Sequence, residues 1–166
     1  MGLQTAVYQT PPLNEVGGLA TTEYVNPVSV VPGCRVNGAA NVGGFVWSAS
    51  APSGTNANPM EQFVTNSAVS GKPLGFVYRV QDVALPCASG YTLAIPQGQA
   101  CPVAAKGRFF AVSATAVTAG QKVYAVLADG SIKTDATGQT ISGAVETDWV
   151  ARTSAAIGGL FELELI

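Results

Sequence analysis

Glycine and proline cut this chain so often that a helix of ordinary length has no room between them. The 166 residues include 19 Gly and 10 Pro. No window of twelve or more residues carries apolar side chains at i, i+3, i+4 and i+7 free of a breaker. The best helical candidate is Asn58-Pro59-Met60-Glu61-Gln62-Phe63-Val64, with an N-capping Asn, Pro at the first helical position and Glu at the third. It reads equally as one or two helical turns or as a Pro-containing loop.

Strand patterns fill most of the rest. Leu74, Phe76, Tyr78 and Val80 alternate with Arg79 and Gln81, as the period of two in a strand requires. Residues 121–128 and 131–135 flank Asp129-Gly130, a two-residue hairpin signal. A loop of that length puts Val126 opposite Lys133 and Tyr124 opposite Asp135. Residues 91–95 run into Pro96-Gln97-Gly98, read as a type I turn with Pro96 at i+1 and Gly98 at i+3. Residues 100–105 return from it, which sets Cys101 across from Thr92. Further strands are expected at 108–113, 142–151 and 159–166. Short strands at 8–12-residue spacing predict an all-β fold, a sandwich or barrel with little or no helix.

Two segments break the rhythm. Residues 1–33 carry Pro11, Pro12, Pro27, Pro32, Gly17 and Gly18, and read as an extended N-terminal arm with one short strand near Ala6 to Gln9. Residues 34–166 then form a single β domain. Within it, residues 49–73 are dense in Pro, Gly, Ser and Asn and read as a long surface loop, a class that often carries function.

Composition removes whole classes of function. There is no His, so Ser-His-Asp and Cys-His catalytic sets and imidazole zinc sites are excluded. The eight Lys and Arg residues are scattered singly, which predicts no nucleic-acid partner and no anionic membrane surface. No run approaches the ~20 consecutive apolar residues of a helical membrane span. The opening Met1 to Ala6 lacks a charged n-region and a long apolar stretch, and Ala6 stands where myristoylation wants Ser or Thr. The chain is therefore expected to be made in a cytosol and to stay there or leave by another route. Charged residues are only 11% of the chain, against a typical ~25%. So few charges on a 48% hydrophobic chain leave two readings, a surface covered by uncharged Thr, Ser, Asn and Gln or one partly covered by other chains; the second is the expectation taken, a homo-oligomer.

Few residues suggest chemistry. Cys34, Cys87 and Cys101 are odd in number, so a disulfide framework is not expected and all three read as free structural thiols. Glu162 and Glu164 alternate with Phe161, Leu163 and Leu165, the polar face of a half-buried strand; Glu146 and Asp148 repeat the pattern. Asp129 and Asp135 lack the spacing of a calcium loop. Gly17-Gly18, Gly43-Gly44 and Gly158-Gly159 fit no phosphate-binding spacing and mark bends in sheets. No catalytic residue, metal or cofactor is expected. Phe45 and Trp47 alternate toward a core. Trp149, set among polar residues, reads either as core or as an exposed anchor at an oligomer interface, where Trp is enriched.

Three stretches, taken in order, resemble the structural cement proteins that decorate tailed-phage heads. The first is Leu13-Asn14-Glu15-Val16-Gly17-Gly18-Leu19-Ala20, followed by Asn26-Pro27. The second is Val36-Asn37-Gly38-Ala39-Ala40-Asn41-Val42-Gly43-Gly44-Phe45-Val46-Trp47. The third passes from Pro73-Leu74-Gly75-Phe76-Val77-Tyr78-Arg79 through Ile95-Pro96-Gln97-Gly98 and Gly107-Arg108-Phe109-Phe110 to Gly120-Gln121-Lys122-Val123-Tyr124, then Asp129-Gly130. Gly44 departs from the family pattern, which tends to carry Arg before the Phe. The resemblance implies a jelly-roll-like β fold and a non-enzymatic virion protein that binds the outer surface of the capsid and bridges capsomers. Its partners would be the major capsid protein and itself, as homodimer or homotrimer, and it would be synthesised in the bacterial host cytoplasm. The interface candidates are Tyr8, Leu13, Leu19, Tyr24 and Trp149. The competing reading is a phage-head adhesin or carbohydrate-binding β module with aromatic rings exposed to stack on sugars.

Overall fold

The computed structural model describes residues 15–20, 25–27, 34–54, 61–80 and 93–165. Among them there is no helix and there are thirteen strands, so the all-β expectation is met. The expected strand near Ala6 to Gln9 lies outside the described residues. Strands β9 (Val103–Val112), β10 (Lys122–Val126), β11 (Ile132–Asp135), β12 (Ala144–Ala151) and β13 (Leu160–Leu165) form one antiparallel run in the order β11-β10-β12-β13-β9. Ser113, one residue past β9, bridges Ile132 on β11 in parallel, and the Ala114 N–H donates to the Ile132 carbonyl at 2.8 Å. The end of β9 thus meets β11 at a single bridge, which curls the run round on itself as a five-stranded barrel. The seam is completed by hydroxyls. Thr115 Oγ1 accepts the Thr134 N–H at 2.8 Å and lies 3.1 Å from Ser113 Oγ and 3.2 Å from Thr134 Oγ1.

The N-terminal half continues the same sheet. Strands β1 (Asn26–Pro27), β2 (Cys34–Val36), β4 (Phe45–Ala49), β5 (Gln62–Thr65), β6 (Gly75–Val77) and β8 (Ala100–Cys101) extend it as β9-β6-β4-β5-β2-β8, with β1 also paired to β9. A separate two-stranded ladder joins β3 (Ala40–Asn41) to β7 (Ala94–Ile95).

Two cores result, and β4 and β6 serve both. Phe45, Trp47 and Phe76 pack with Phe109, Trp149, Phe161 and Leu163 inside the barrel. Val46 and Val77 point the other way, into a valine-rich core with Cys34, Val36, Val42, Val64, Ile95, Cys101 and Val103. Trp149 is 3% exposed and its ring lies 5.8–6.1 Å from those of Phe45, Phe76 and Phe109. Such spacing suits edge and offset ring packing. Core placement is the reading that holds, and Trp149 offers no exposed anchor. Glu146 and Asp148 occupy the opposite strand face, half-buried and exposed, while Thr147, Trp149 and Ala151 are buried.

Several sequence expectations need correction. Of the segment 58–64, read equally as helical turns or loop, residues 58–60 lie outside the described residues, and the long loop expected over 49–73 is interrupted by β5, which pairs antiparallel with β4 and parallel with β2. Phe63 and Val64 are buried there, and that burial outweighs the loop-forming composition around them. The β10–β11 hairpin is not the two-residue type. Tyr124 faces Lys133 and Lys122 faces Asp135. The Val126 N–H donates to the Ser131 carbonyl at 2.8 Å, and Asp129 Oδ1 accepts the Ser131 N–H at 2.9 Å. The longer turn shifts the register by two residues, so each side chain keeps its expected face. The turn at Pro96 also falls one residue later. The Gln99 N–H reaches the Pro96 carbonyl and Gly98 has φ +81°, which makes Gly98 the i+2 residue of a type II turn. Its flanks then diverge to different partners. Strand β7 goes to β3 and β8 goes to β2, so Cys101 faces Cys34 and not Thr92.

Within the segment read as an extended arm, residues 15–20 are hydrogen-bonded to the body. Gly17 N–H donates to the Phe110 carbonyl and the Phe110 N–H to the Gly18 carbonyl, both at 2.8 Å. Gly17 has φ +78° and Gly43 φ +84°. A Cβ at Gly17 would stand 2.4 Å from a Val42 methyl, and one at Gly43 would stand 2.2 Å from a Val16 methyl. Each valine thus covers the other strand's glycine, and Arg79 closes the contact through an ion pair with Glu15.

Two outcomes follow for stability. Trp149→Ala should cost about 3–5 kcal/mol in urea unfolding, as for other buried Trp truncations; a cost below ~1 kcal/mol would place the ring outside the core. The second concerns pH. Burial pushes the Cys34 thiol from 9.0 up to about 11. Burial, and then the charge of Cys34, pushes Cys101 up to about 12. Both groups are neutral in the folded state where the unfolded chain would already ionise. Their contribution is full below pH 9 and is lost as pH climbs through the folded values near 11–12. The urea midpoint should therefore fall between pH 8.5 and 10.5 more steeply in the native protein than in Cys34→Ala, at roughly one thiol's share.

Candidate interaction surface

The expected contact residues separate sharply. Tyr8, Leu13 and Tyr24 lie outside the described residues. Leu19 is 49% exposed beside the place where the N-terminal segment bridges Phe109 on β9. Trp149 is buried. Two further exposed large hydrophobes were not singled out in the sequence, Val69 at 97% and Ile157 at 71%. Val69 sits in the β5–β6 connection, where the Ala68 N–H is held by the Leu127 carbonyl and the Trp47 indole N–H by the Gly71 carbonyl, both at 2.8 Å. Ile157 sits in the β12–β13 connection, pinned by the Ala155 and Val117 backbones on one side and by Gly158 N–H to the Ser113 carbonyl on the other. The readable signal was a lone large hydrophobe between small residues: Ser67-Ala68-Val69-Ser70-Gly71 and Ala155-Ala156-Ile157-Gly158-Gly159.

Charge on this surface is mostly consumed in pairs. Arg108 with Glu162 and Arg152 with Glu164 line the outer face of β9, β13 and β12. That is the polar strand face expected for Glu162 and Glu164. Arg35 pairs with Glu61 at 3.1 Å and Lys72 with Asp148 at 2.7 Å. Glu146 is structural too. Its carboxylate accepts the Gly138 N–H at 2.7 Å and lies 3.0 Å from the Tyr124 hydroxyl, which accepts the Gln139 N–H. This clamps the β11–β12 loop, and burial, ahead of the adjacent Glu146, raises the Tyr124 hydroxyl above its usual value. Among the described residues no cluster of three or more Cys, Asp and Glu is arranged to hold a metal ion. Sugar stacking needs rings at the surface. The described aromatic side chains are buried except Tyr78 and Phe110, which are half-buried.

Gly44, where the resembling pattern has Arg, abuts the β10–β11 turn. A Cβ there would stand 3.0 Å from the Gly130 carbonyl oxygen. That same oxygen accepts the Phe45 N–H at 2.8 Å, so the turn docks backbone to backbone on the start of β4.

The solved structure entitled "The capsid of Myoviridae Phage XM1" contains a chain of the same fold. It matches with a TM-score of 0.57 and 19% identity, over 99% of this chain and 97% of that one. No relative is found among curated proteins. A family profile described as structural cement protein (E217 gp24/Pam3 gp6) matches residues 3–166. With its sequence matched almost end to end, the chain belongs to the phage structural cement protein family.

Proposed function

We propose that this chain is a non-enzymatic virion protein that binds the outer surface of a phage capsid as a homodimer or homotrimer and bridges neighbouring capsomers. The observation that carries this reading is the family match over residues 3–166. A capsid-associated structural role follows from it; the outer position, the bridging and the oligomer are the finer proposal. The physical logic is linkage. A protein that binds the closed shell and not its separated subunits stabilises each site by about RT ln(1+[L]/Kd), repeated at every copy.

Residues 1–12 are proposed to reach the capsid, with Tyr8 among them, and Leu13, Leu19 and Tyr24 flank the route. Extended segments can add to a neighbour's sheet through backbone hydrogen bonds alone. Val69 and Ile157 are proposed as apolar contacts from the folded body, since both stand on connections tied down by backbone hydrogen bonds.

Deleting residues 1–12 should leave the circular dichroism spectrum and the urea midpoint unchanged, because the Val16–Gly17 lock on Gly43 and β9 lies beyond the cut. The same deletion should weaken binding to purified expanded capsids by more than about tenfold, the effect of ~1.4 kcal/mol per oligomer. Equal decoration by the truncated chain would refute the role of the segment. Sedimentation equilibrium at micromolar concentration should give two or three chains, and a clean monomer would count against the oligomer.

A further inference from the structure

The two described cysteines are brought together by the sheet. Cys34 on β2 and Cys101 on β8 are direct partners in an antiparallel ladder. Both are free and buried, at 2% and 3% exposure. Two residues along, Val36 N–H donates to the Gln99 carbonyl at 3.0 Å. Hydrogen-bonded pairs recur every second residue, so Cys34 and Cys101 form such a pair, with Cα atoms about 5.5 Å apart. A disulfide spans about 4.4–6.8 Å between Cα atoms, most often ~5.5–6 Å. Directly opposed residues also project to the same sheet face. Here that face is the valine core, where both thiols pack with Val36, Val64 and Val103.

We infer that Cys34 and Cys101 form an oxidation site, in which a small soluble disulfide such as oxidised glutathione converts the two thiols into one disulfide that staples β8 to β2. The staple has something to hold. Strand β8 is two residues long, ends the sheet path and has β2 as its ladder partner among the described strands. The closed loop would run from residue 34 to residue 101, long enough for a large effect on the unfolded chain.

The chemistry balances as two exchanges. The Cys34 thiolate attacks one sulfur of oxidised glutathione, its S–S bond breaks, and one glutathione leaves as thiolate. The Cys101 thiolate then attacks the Cys34 sulfur of the mixed disulfide and expels the second glutathione. The two protein thiols lose two electrons and two protons, and both end on the two reduced glutathiones. Burial raises both thiols above their ordinary value, so the thiolate that attacks is scarce near neutral pH and the exchange is slow there, faster at alkaline pH. The inference does not depend on capsid binding.

The test uses the full chain carrying Cys87→Ser, which removes the third thiol. It is incubated folded with excess oxidised glutathione at mildly alkaline pH, then alkylated and mapped by mass spectrometry. The expected result is loss of two hydrogens in a linked pair of peptides containing Cys34 and Cys101, with Tm raised by roughly 5–15 °C and reversed by reductant. Adding Cys101→Ala should abolish the rise. Three results would overturn the inference. The folded protein could keep both thiols while the urea-unfolded chain oxidises, it could stop at glutathione adducts, or the disulfide could form with Tm unchanged or lowered.

Discussion

Phe45, Val46 and Trp47 are consecutive, all buried, and point alternately into two different cores. A strand with one wet face cannot do this; β4 has none along this stretch. Strand β6 repeats the arrangement with Phe76 and Val77. These two strands are the wall that both cores share. The barrel is sealed on that side by the rings of Phe45 and Phe76, 5.7 Å apart at 71°. The valine core is sealed by the reverse side of the same backbone. A change that tilts β4 is felt on both sides, because close-packed interiors transmit displacement.

Glycine makes the wall possible. The β10–β11 turn approaches β4 so closely that a Cβ on Gly130 would fall 2.1 Å from the Phe45 carbonyl oxygen. Gly75 on β6 is equally constrained, 2.5 Å from the Ala104 carbonyl oxygen on β9. These contacts are backbone against backbone and could not open by moving a flexible side chain. The glycine count that forbids helices in this sequence also lets the strands meet.

How much was legible follows from what kind of signal each element carried. Strand existence was readable where apolar residues alternate with polar ones, as in 142–151 and 159–166. Trp149 stayed open between core and exposed anchor in the sequence, because its flanks are mixed, Asp148 polar and Val150 apolar, and only packing against Phe45, Phe76 and Phe109 decides for the core. Strand β5 was hidden because its four residues lie inside a stretch of Pro, Gly, Ser and Asn, and only pairing with β4 and β2 makes it a strand. The partners of Cys101 were hidden for a different reason. A turn predicts that its flanks pair with each other, and here β7 and β8 leave Pro96 for different ladders. Tertiary pairing decided that, and local chemistry carried no trace of it. Of the contact candidates, only the exposure of Leu19 and the burial of Trp149 are described.

The distribution of charge bears on how such a surface can bind. Five basic residues are committed to ion pairs within the chain. Exposed pairs of this kind contribute little to stability, of order 0–1 kcal/mol each. Their larger effect is to cancel fields, leaving a net charge of −2 with little to steer a partner over distance. The capsid binding proposed above therefore rests on shape, apolar contact and backbone hydrogen bonds. Those terms are short-ranged and tolerant of salt, in contrast to charge-driven docking. A weak contact of that type becomes strong only by repetition, when several copies or segments are held at fixed spacing. The body holds Val69 and Ile157 on connections tied by backbone hydrogen bonds and binds Gly17, Gly18, Leu19 and Ala20 to β9, a geometry suited to the repeated contacts proposed above.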